Sequence, residues 1–237
     1  MKKESFLTKS LIAHRGLHDG NDKVIENTIV AFKLACDKKY IIELDIHILK
    51  DNQVVVFHDN NLKRLTGIDK PISNTTYNEI KDLKLNNTNS FIPKLQEVLD
   101  FVDNRVPIII EIKDDVKGNR LENLAEILDN YEGEFAIKSF DPFIVKWFKD
   151  NRPNIIRGQL AAGFKNDNIF KRIVWKNMWL NCITKPHFVS YAVNDLSIKK
   201  ARKIRKNKIL LGWTIKTKEQ KEKYINEYDN LICENVL

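Results

Sequence analysis

The chain has 237 residues, 43% of them hydrophobic, with 8 Gly, 6 Pro and no linker-like stretch, so residues 1–237 read as a single domain with one sizeable core. Its 40 Lys and Arg against 32 Asp and Glu leave a formal charge of +8, a balance that suits an anionic partner. Three scattered cysteines, Cys36, Cys182 and Cys233, form no Cys-x-x-Cys and argue for a reducing compartment, while the lack of any apolar run near ~20 residues argues against an integral membrane segment.

Met1-Lys2-Lys3 opens like a leader, but Thr8, Lys9 and Ser10 break the apolar stretch a secretory leader needs, so a cytoplasmic location is expected. Residues 10–14 then read as a short buried strand, and 27–39 as a helix carrying Ile29, Val30, Phe32, Leu34 and Ala35, with Asn27 as its N-cap. Residues 41–48 alternate as a strand, with Glu43, Asp45 and His47 on one face and Ile42, Leu44, Ile46 and Ile48 on the other. Lys50-Asp51-Asn52 turns the chain into an extra strand at 53–58, and 59–92 reads as a polar, irregular insertion.

Beyond it, helix and strand alternate: helix 94–103, strand 107–113, helix 119–131, strand 134–140, and a helix 142–149 with Pro142 in its first turn. Strand 155–161, helix 168–180, strand 188–193, a helix to 206 capped by Asp195, strand 209–214, helix 218–227 and strand 230–234 complete the series. On 168–180, Phe170, Ile173, Val174, Met178 and Leu180 interleave with Lys171, Arg172 and Lys176, and Trp175 and Trp179 are i,i+4 neighbours. Core packing is the expectation there, with a membrane-surface contact as the alternative. The basic run from Lys199 to Lys206 reads as the wet face of a helix, and with no zinc-finger, helix-turn-helix or aromatic RNA-binding signal, no nucleic-acid partner is expected.

Leaving out 53–58, the alternation gives about eight parallel strands with crossover helices, the pattern of an α/β chain folded as a (β/α)8 barrel. A doubly wound open sheet is the competing architecture, but it would offer a Gly-rich phosphate loop after its first strand, and His14-Arg15-Gly16-Leu17-His18 is not one. The last helix is truncated, since Leu237 follows the final strand almost at once; the strand pair left bare there would need the segment around Phe6 and Leu7, a neighbouring helix or a second subunit to cover it, which makes a homodimer a candidate assembly.

Chemistry concentrates at His14-Arg15-Gly16, Glu43-Leu44-Asp45, His58-Asp59 and Glu111-Ile112-Lys113, each at or near a strand end. Two histidines exchange protons near neutral pH, and two carboxylates at i and i+2 share a face and can hold one divalent cation. Glu111 adds a third carboxylate, and an all-carboxylate set of Glu43, Asp45 and Glu111 suits Mg2+ or Ca2+ better than zinc. Arg15 can grip a phosphate oxygen pair and Lys113 can stand beside it as a point charge.

These pieces, with Glu26-Asn27-Thr28, Ala31-Phe32, Lys50-Asp51, Val55-Val56-Phe57, Leu62, Ile92-Pro93-Lys94-Leu95-Gln96-Glu97, Ser139-Phe140-Asp141 and Trp213-Thr214-Ile215, make the chain resemble the glycerophosphodiester phosphodiesterase family. The resemblance implies a TIM barrel with an insertion after the second strand, a divalent metal, and hydrolysis of glycerophosphodiesters to sn-glycerol 3-phosphate and an alcohol. It further implies that the glycerol 2-hydroxyl attacks first to give a cyclic phosphate, with His14 on the nucleophile side and His58 at the leaving alcohol. Four positions depart from the family pattern: Ile25 stands for a proline, Lys216 for an asparagine, and Cys233-Glu234 for Thr-Asp.

Among the remaining residues, Glu26 is expected to orient Arg15, Trp213 to wall the glycerol pocket or pack in the core, and His47 to reach substrate from the carboxylate face. His18 and His187 read as structural histidines. Two alternatives accompany the main reading. One is a lysophospholipase D or cyclising phospholipase on the same barrel, which would need an apolar entrance that only Leu62, Leu65, Ile72, Tyr77, Ile80, Leu83 and Leu85 could supply. The other is a catalytically silent binding protein, against which the intact His14, His58, Glu43, Asp45 and Glu111 argue.

Overall fold

The computed structural model describes residues 5–113, 120–163 and 178–236. Eight parallel strands close into a barrel: β1 (Ile12–Ala13), β2 (Ile41–Ile48), β4 (Ile108–Ile112), β5 (Phe135–Ser139), β6 (Ile156–Ala161), β7 (Phe188–Ala192), β8 (Ile209–Ile215) and β9 (Asn230–Cys233). β1 pairs with β9 on one side and with β2 on the other, which makes a TIM barrel and excludes the open sheet. The extra strand β3 (Val54–Val56) runs antiparallel to β2, as the turn at 50–52 requires.

Helices α1 (Ile29–Asp37), α4 (Leu95–Val102), α5 (Arg120–Asp129), α6 (Pro142–Asn151), α8 (Ile198–Arg205) and α9 (Lys218–Tyr224) follow or connect the barrel strands. They bury their apolar stripes on the outward residues of the strands; Phe32 and Ala35 of α1 and Val98, Leu99 and Val102 of α4, for example, pack with Ile42, Leu44, Ile108 and Ile110. Two caps differ from the sequence reading. Thr28, not Asn27, caps α1, and Ser197, not Asp195, caps α8. Asp195 instead accepts a hydrogen bond from the Gly163 amide at 2.9 Å. The expected helix at 168–180, with its Trp175 pair partner, lies almost wholly outside the described residues; 178–180 form a turn before the short α7 (Asn181–Thr184).

The insertion is more ordered than its composition suggests. It contains α2 (Lys63–Thr66), a 3-10 turn at Ile72–Asn74 and α3 (Tyr77–Ile80). Leu62, Leu65, Ile72, Ile80 and Leu85 are buried in a core of its own with Ile25, Val55 and Phe57. Widely spaced apolar residues in polar sequence hide such a core because neither helical nor strand periodicity develops.

Inside the barrel, the two ends differ in kind. The N-terminal end is filled by Ile12, Ile41, Ile109, Ala136, Phe188, Leu211 and Ile232. Phe6 and Leu7, on a 3-10 turn, plug that end, and Asn230 donates to the carbonyls of Leu7 and Ser10 at 2.8 and 2.6 Å. They therefore fill the barrel floor rather than the wall. The outer faces of Leu231 and Cys233 are covered by Tyr224, Tyr228 and Val236 from the neighbouring helix and its surroundings, so the apolar surface that motivated the homodimer is buried within the chain. At the C-terminal end the interior turns charged, as active barrel mouths do.

Candidate active site

Register builds the centre of the mouth. Asp45 of β2, Glu111 of β4 and Lys138 of β5 are consecutive partners across three strands, so their side chains all point into the barrel. Glu43, two residues before Asp45 on β2, points the same way. All four are buried. Lys113 donates to Asp45 Oδ1 and Glu111 Oε1 at 2.6 Å each, and Lys138 Nζ lies 2.7 Å from Glu43 Oε1 and 3.5 Å from Glu111 Oε2.

The chain reaches this layer from β1 through a left-handed turn. Arg15 has φ +57° and Gly16 φ +81°, and a Cβ on Gly16 would meet the Ala31 Cβ at 2.8 Å, so only glycine fits. The turn aims the Arg15 amide at Glu43 Oε2 (3.0 Å) while its guanidinium bonds Glu26 (2.8 Å) and lies 3.4 Å from Asp45 Oδ2. Asn27, also left-handed at φ +56°, gives its amide to Asp45 Oδ2 at 2.9 Å. Its place is thus in the site, one residue before the cap.

Each of the two sequence-singled histidines is paired through Nδ1 with a carboxylate: His14 with Glu234 at 3.1 Å and His58 with Asp59 at 2.6 Å. In both, Nε2 remains as the second nitrogen. His14 is buried, whereas the His58 side chain is 33% exposed and lines, with Asp59, Asn60, Glu111, Lys113 and Phe140, a cleft of about 290 Å3. Trp213 stands edge-on to Phe140, ring centroids 5.7 Å apart, at the same mouth. His47 is fully buried with Nε2 3.3 Å from the His58 carbonyl, so it supports the His58 backbone rather than facing the cleft.

The charges explain the ionisation states. Burial alone would raise the carboxyls of Glu43 and Asp45; Lys138 overcomes this at Glu43, and Lys113, His58 and Arg15 overcome it at Asp45, so both lie below the usual range. Burial likewise opposes the charged forms of Lys113 and Lys138, but the facing carboxylates raise both. At Glu26 the hydrogen bond from Arg64 and the charge of Arg15 outweigh burial and bring the carboxyl to about 2. One oxygen each of Glu43, Asp45 and Glu111 lies within 4.8 Å of the others, an all-oxygen group that could hold a metal ion. The donor set fits a hard divalent cation.

A model of the glycerophosphoryl diester phosphodiesterase family matches residues 14–230. The chain belongs to that family. It is a family of hydrolases, and the match runs from the first catalytic candidate, His14, to the start of β9. A human lysophospholipase D is 38% identical over 150 residues, which are 56% of this chain and 45% of that protein. A glycerophosphodiester phosphodiesterase of Caldanaerobacter subterraneus subsp. tengcongensis is 32% identical over 162 residues, 63% of this chain and 65% of the relative. The chain thus aligns with about half to two thirds of the curated relatives' length. Among solved structures, the Thermotoga maritima glycerophosphodiester phosphodiesterase superposes with TM-score 0.72 at 26% identity, over 94% of both chains. An Oleispira antarctica phosphodiesterase, solved with sn-glycerol-3-phosphate as product, gives 0.82 at 21% identity over 95% of this chain and 93% of the other, a likeness of fold.

Within this family member the structure adds residues that sequence reasoning passed over. Arg64, from the insertion, bonds both Glu26 (2.6 Å) and Asp59 (2.6 Å), tying the Arg15 side of the site to the His58 side. Lys138 had a signal: a lysine inside the apolar strand Phe135-Ala136-Ile137-Lys138-Ser139 needs an acidic partner to be buried. Glu234 stood out only as a departure from the family's Thr-Asp and His18 only as a structural histidine, because His14, His18 and Glu234 meet only when β9 closes against β1. Among the described residues no helix is long and apolar enough to cross a membrane.

Proposed function

We propose that the chain, residues 1–237 acting as one catalytic domain, hydrolyses glycerophosphodiesters to sn-glycerol 3-phosphate and an alcohol. The observation that carries this reading is the pair of histidine–carboxylate couples, His14–Glu234 and His58–Asp59, set at one barrel mouth with three clustered carboxylates, Arg15 and Lys113. A phosphodiester needs its phosphoryl charge neutralised, its nucleophile deprotonated and its leaving oxygen protonated.

Arg15 and Lys113 bind the phosphoryl oxygens. His14, deep in the mouth and held through Nδ1 by Glu234, takes the proton of the glycerol 2-hydroxyl at Nε2 as that oxygen bonds to phosphorus. His58, at the exposed side, gives its Nε2 proton to the departing alcohol oxygen, whose substituent then leaves toward solvent. The cyclic phosphate so formed is opened by water with the roles reversed. The exposed position of His58 supports this direction, because the variable alcohol needs room that the buried side lacks. Glu43, Asp45 and Glu111 would hold Mg2+ or Ca2+, which when bound supplies charge neutralisation at the phosphoryl group. Trp213 walls the glycerol, and Phe140, edge-on to it, lines the cleft beside His58.

A second reading, hydrolysis of lysophospholipids, is favoured by the likeness to the human lysophospholipase D. Against it, Leu62, Leu65, Ile72, Ile80 and Leu85, five of the seven apolar residues that could line an acyl entrance, are committed to the insertion's own core. The experiment is a panel of glycerophosphocholine, glycerophosphoethanolamine, glycerophosphoglycerol and lysophosphatidylcholine with Mg2+, Ca2+ or Mn2+. Glycerol 3-phosphate release from the deacylated diesters is expected to exceed choline release from the lysolipid; the opposite order would favour the second reading, and no release from any would reject both.

A further inference from the structure

The glycerophosphodiesterase reading leaves a buried histidine beside His14 without work. We infer that His18 is a substrate-recognition residue whose Nε2–H donates a hydrogen bond to a glycerol hydroxyl oxygen on the His14 side of the site. The inference rests on that reading and deepens it.

Local backbone places the ring. After the left-handed turn at Arg15 and Gly16, the Leu17 amide bonds the Ala31 carbonyl at 3.0 Å, and His18 turns back toward the mouth with 6% of its surface exposed. The chain then turns again at Gly20, φ +87°, which sits over Asn235 beside Glu234; a Cβ there would come within 3.7 Å of the Asn235 amide. One ring nitrogen each of His14 and His18 and one oxygen of Glu234 lie within 4.8 Å of one another.

Hydrogen bonding fixes the tautomer. The Gly20 amide donates to His18 Nδ1 at 3.2 Å, and a backbone N–H can only donate, so Nδ1 presents its lone pair. The proton of the neutral ring is therefore on Nε2. Burial lowers the His18 pKa, which keeps the ring neutral at physiological pH. Nε2 is buried and, among the described residues, has no hydrogen-bond partner. A buried N–H without an acceptor is rare and unfavourable, so this one calls for an oxygen that the described residues do not supply.

Two occupants other than a hydroxyl fit that place less well. A metal ion on His14, His18 and Glu234 would need lone pairs at the histidines, but His18 Nε2 carries the proton and His14 Nδ1 is engaged by Glu234. A phosphoryl oxygen would be served better by Arg15 and Lys113. Its place within 4.8 Å of His14 and Glu234 puts His18 on the buried side of the mouth, where the glycerol rather than the leaving alcohol lies in the proposed reaction. A hydroxyl there can accept from His18 Nε2.

The test is calorimetric titration of sn-glycerol 3-phosphate and of inorganic phosphate into wild type, His18→Phe and His18→Gln, each shown folded by its melting curve. His18→Phe is expected to weaken glycerol 3-phosphate about tenfold, the scale of one lost hydrogen bond, with phosphate affinity unchanged; His18→Gln, which keeps a donor, should recover most of the loss. Equal weakening of both ligands, or none of either, would overturn the inference. Independently of any variant, the 15N spectrum of wild type should show His18 protonated at Nε2, with that resonance moved by glycerol 3-phosphate and not by phosphate; a protonated Nδ1 or an unmoved Nε2 would also overturn it. A wild type that binds no glycerol 3-phosphate and releases none from glycerophosphodiesters would reject the functional reading itself, whereas binding and turnover unaffected by His18 would reject the role of His18 alone.

Discussion

His14 Nδ1 lies 3.1 Å from Glu234 Oε2, a contact between residues 220 positions apart that exists only because β9 closes the barrel against β1. With Nδ1 donating to a carboxylate, the imidazole presents Nε2 as a proton acceptor and the cation formed on accepting is stabilised. The hydrogen bond to His14 and the His14 charge hold the Glu234 carboxyl down at about 2 against burial, so it is ionised throughout the neutral range. Replacing it with an isosteric amide, Glu234→Gln, should lower kcat about a hundredfold with KM little changed. Steady-state kinetics on a glycerophosphodiester decide; an unchanged kcat would mean that Glu234 does not orient the base.

The two histidines themselves are the larger loss. His14→Ala and His58→Ala should each lower turnover by ~10²–10⁴-fold while circular dichroism shows an intact fold. His187→Ala is the control, since His187 contacts the Arg157 backbone by Nδ1 at 3.2 Å, far along the chain from both couples. A His58→Ala protein with wild-type turnover would remove the acid role from His58, and His47 could not inherit it from its buried place beneath the His58 carbonyl.

Lys138 is where the fold and the site meet. Its ammonium lies 2.7 Å from Glu43 in a fully buried setting, and removing one partner of such a pair leaves an uncompensated charge costing about 3–5 kcal/mol. Lys138→Met should lower the melting temperature by roughly 10 °C, and a divalent cation should restore part of it by taking the ammonium's place near Glu43. Differential scanning calorimetry with and without Mg2+ or Ca2+ reads both effects. The wild-type carboxylates already face Arg15, Lys113 and Lys138, so chelation should abolish activity without unfolding the protein. Full activity after exhaustive chelation would count against a metal at Glu43, Asp45 and Glu111.

Acid should unfold the protein in part through Glu26. Its folded pKa of about 2 lies below the ordinary 4.5, so its contribution is fully present above pH 4.5 and is lost as pH falls toward 2. The depression corresponds to stability on the order of 3 kcal/mol. Urea unfolding from pH 6 down to pH 2 should therefore show a steeper fall for wild type than for Glu26→Gln; parallel curves would mean that Arg15 and Arg64 contribute no net stability through Glu26.

Strand and helix order and the shared face of Glu43 and Asp45 on β2 were legible because period-2 and period-3.6 patterns survive in buried elements; His14, Arg15, His58, Glu111 and Lys113 stood out as motifs at strand ends and through the family resemblance. Caps were less so. Asn27 is an ordinary N-cap residue in sequence, yet the Asp45 carboxylate competes for its amide and Thr28 takes the helix end. The insertion core hid because its apolar residues follow no single period, and with it Arg64, an exposed-looking arginine in Leu62-Lys63-Arg64-Leu65 that reaches Glu26 and Asp59. Glu234 and His18 depend on closure between the first and last strands, which no local pattern encodes.

The most direct measurement follows the oxygen. Metal-loaded protein turning over glycerophosphocholine in 18O-labelled water should give sn-glycerol 3-phosphate carrying one 18O on phosphorus and choline carrying none, as read by mass spectrometry. That result requires phosphorus–oxygen cleavage with the alcohol as leaving group, the reaction assigned to the His14–Glu234 and His58–Asp59 couples. Label in the choline, or no glycerol 3-phosphate from protein that is folded and metal-loaded, would contradict the account.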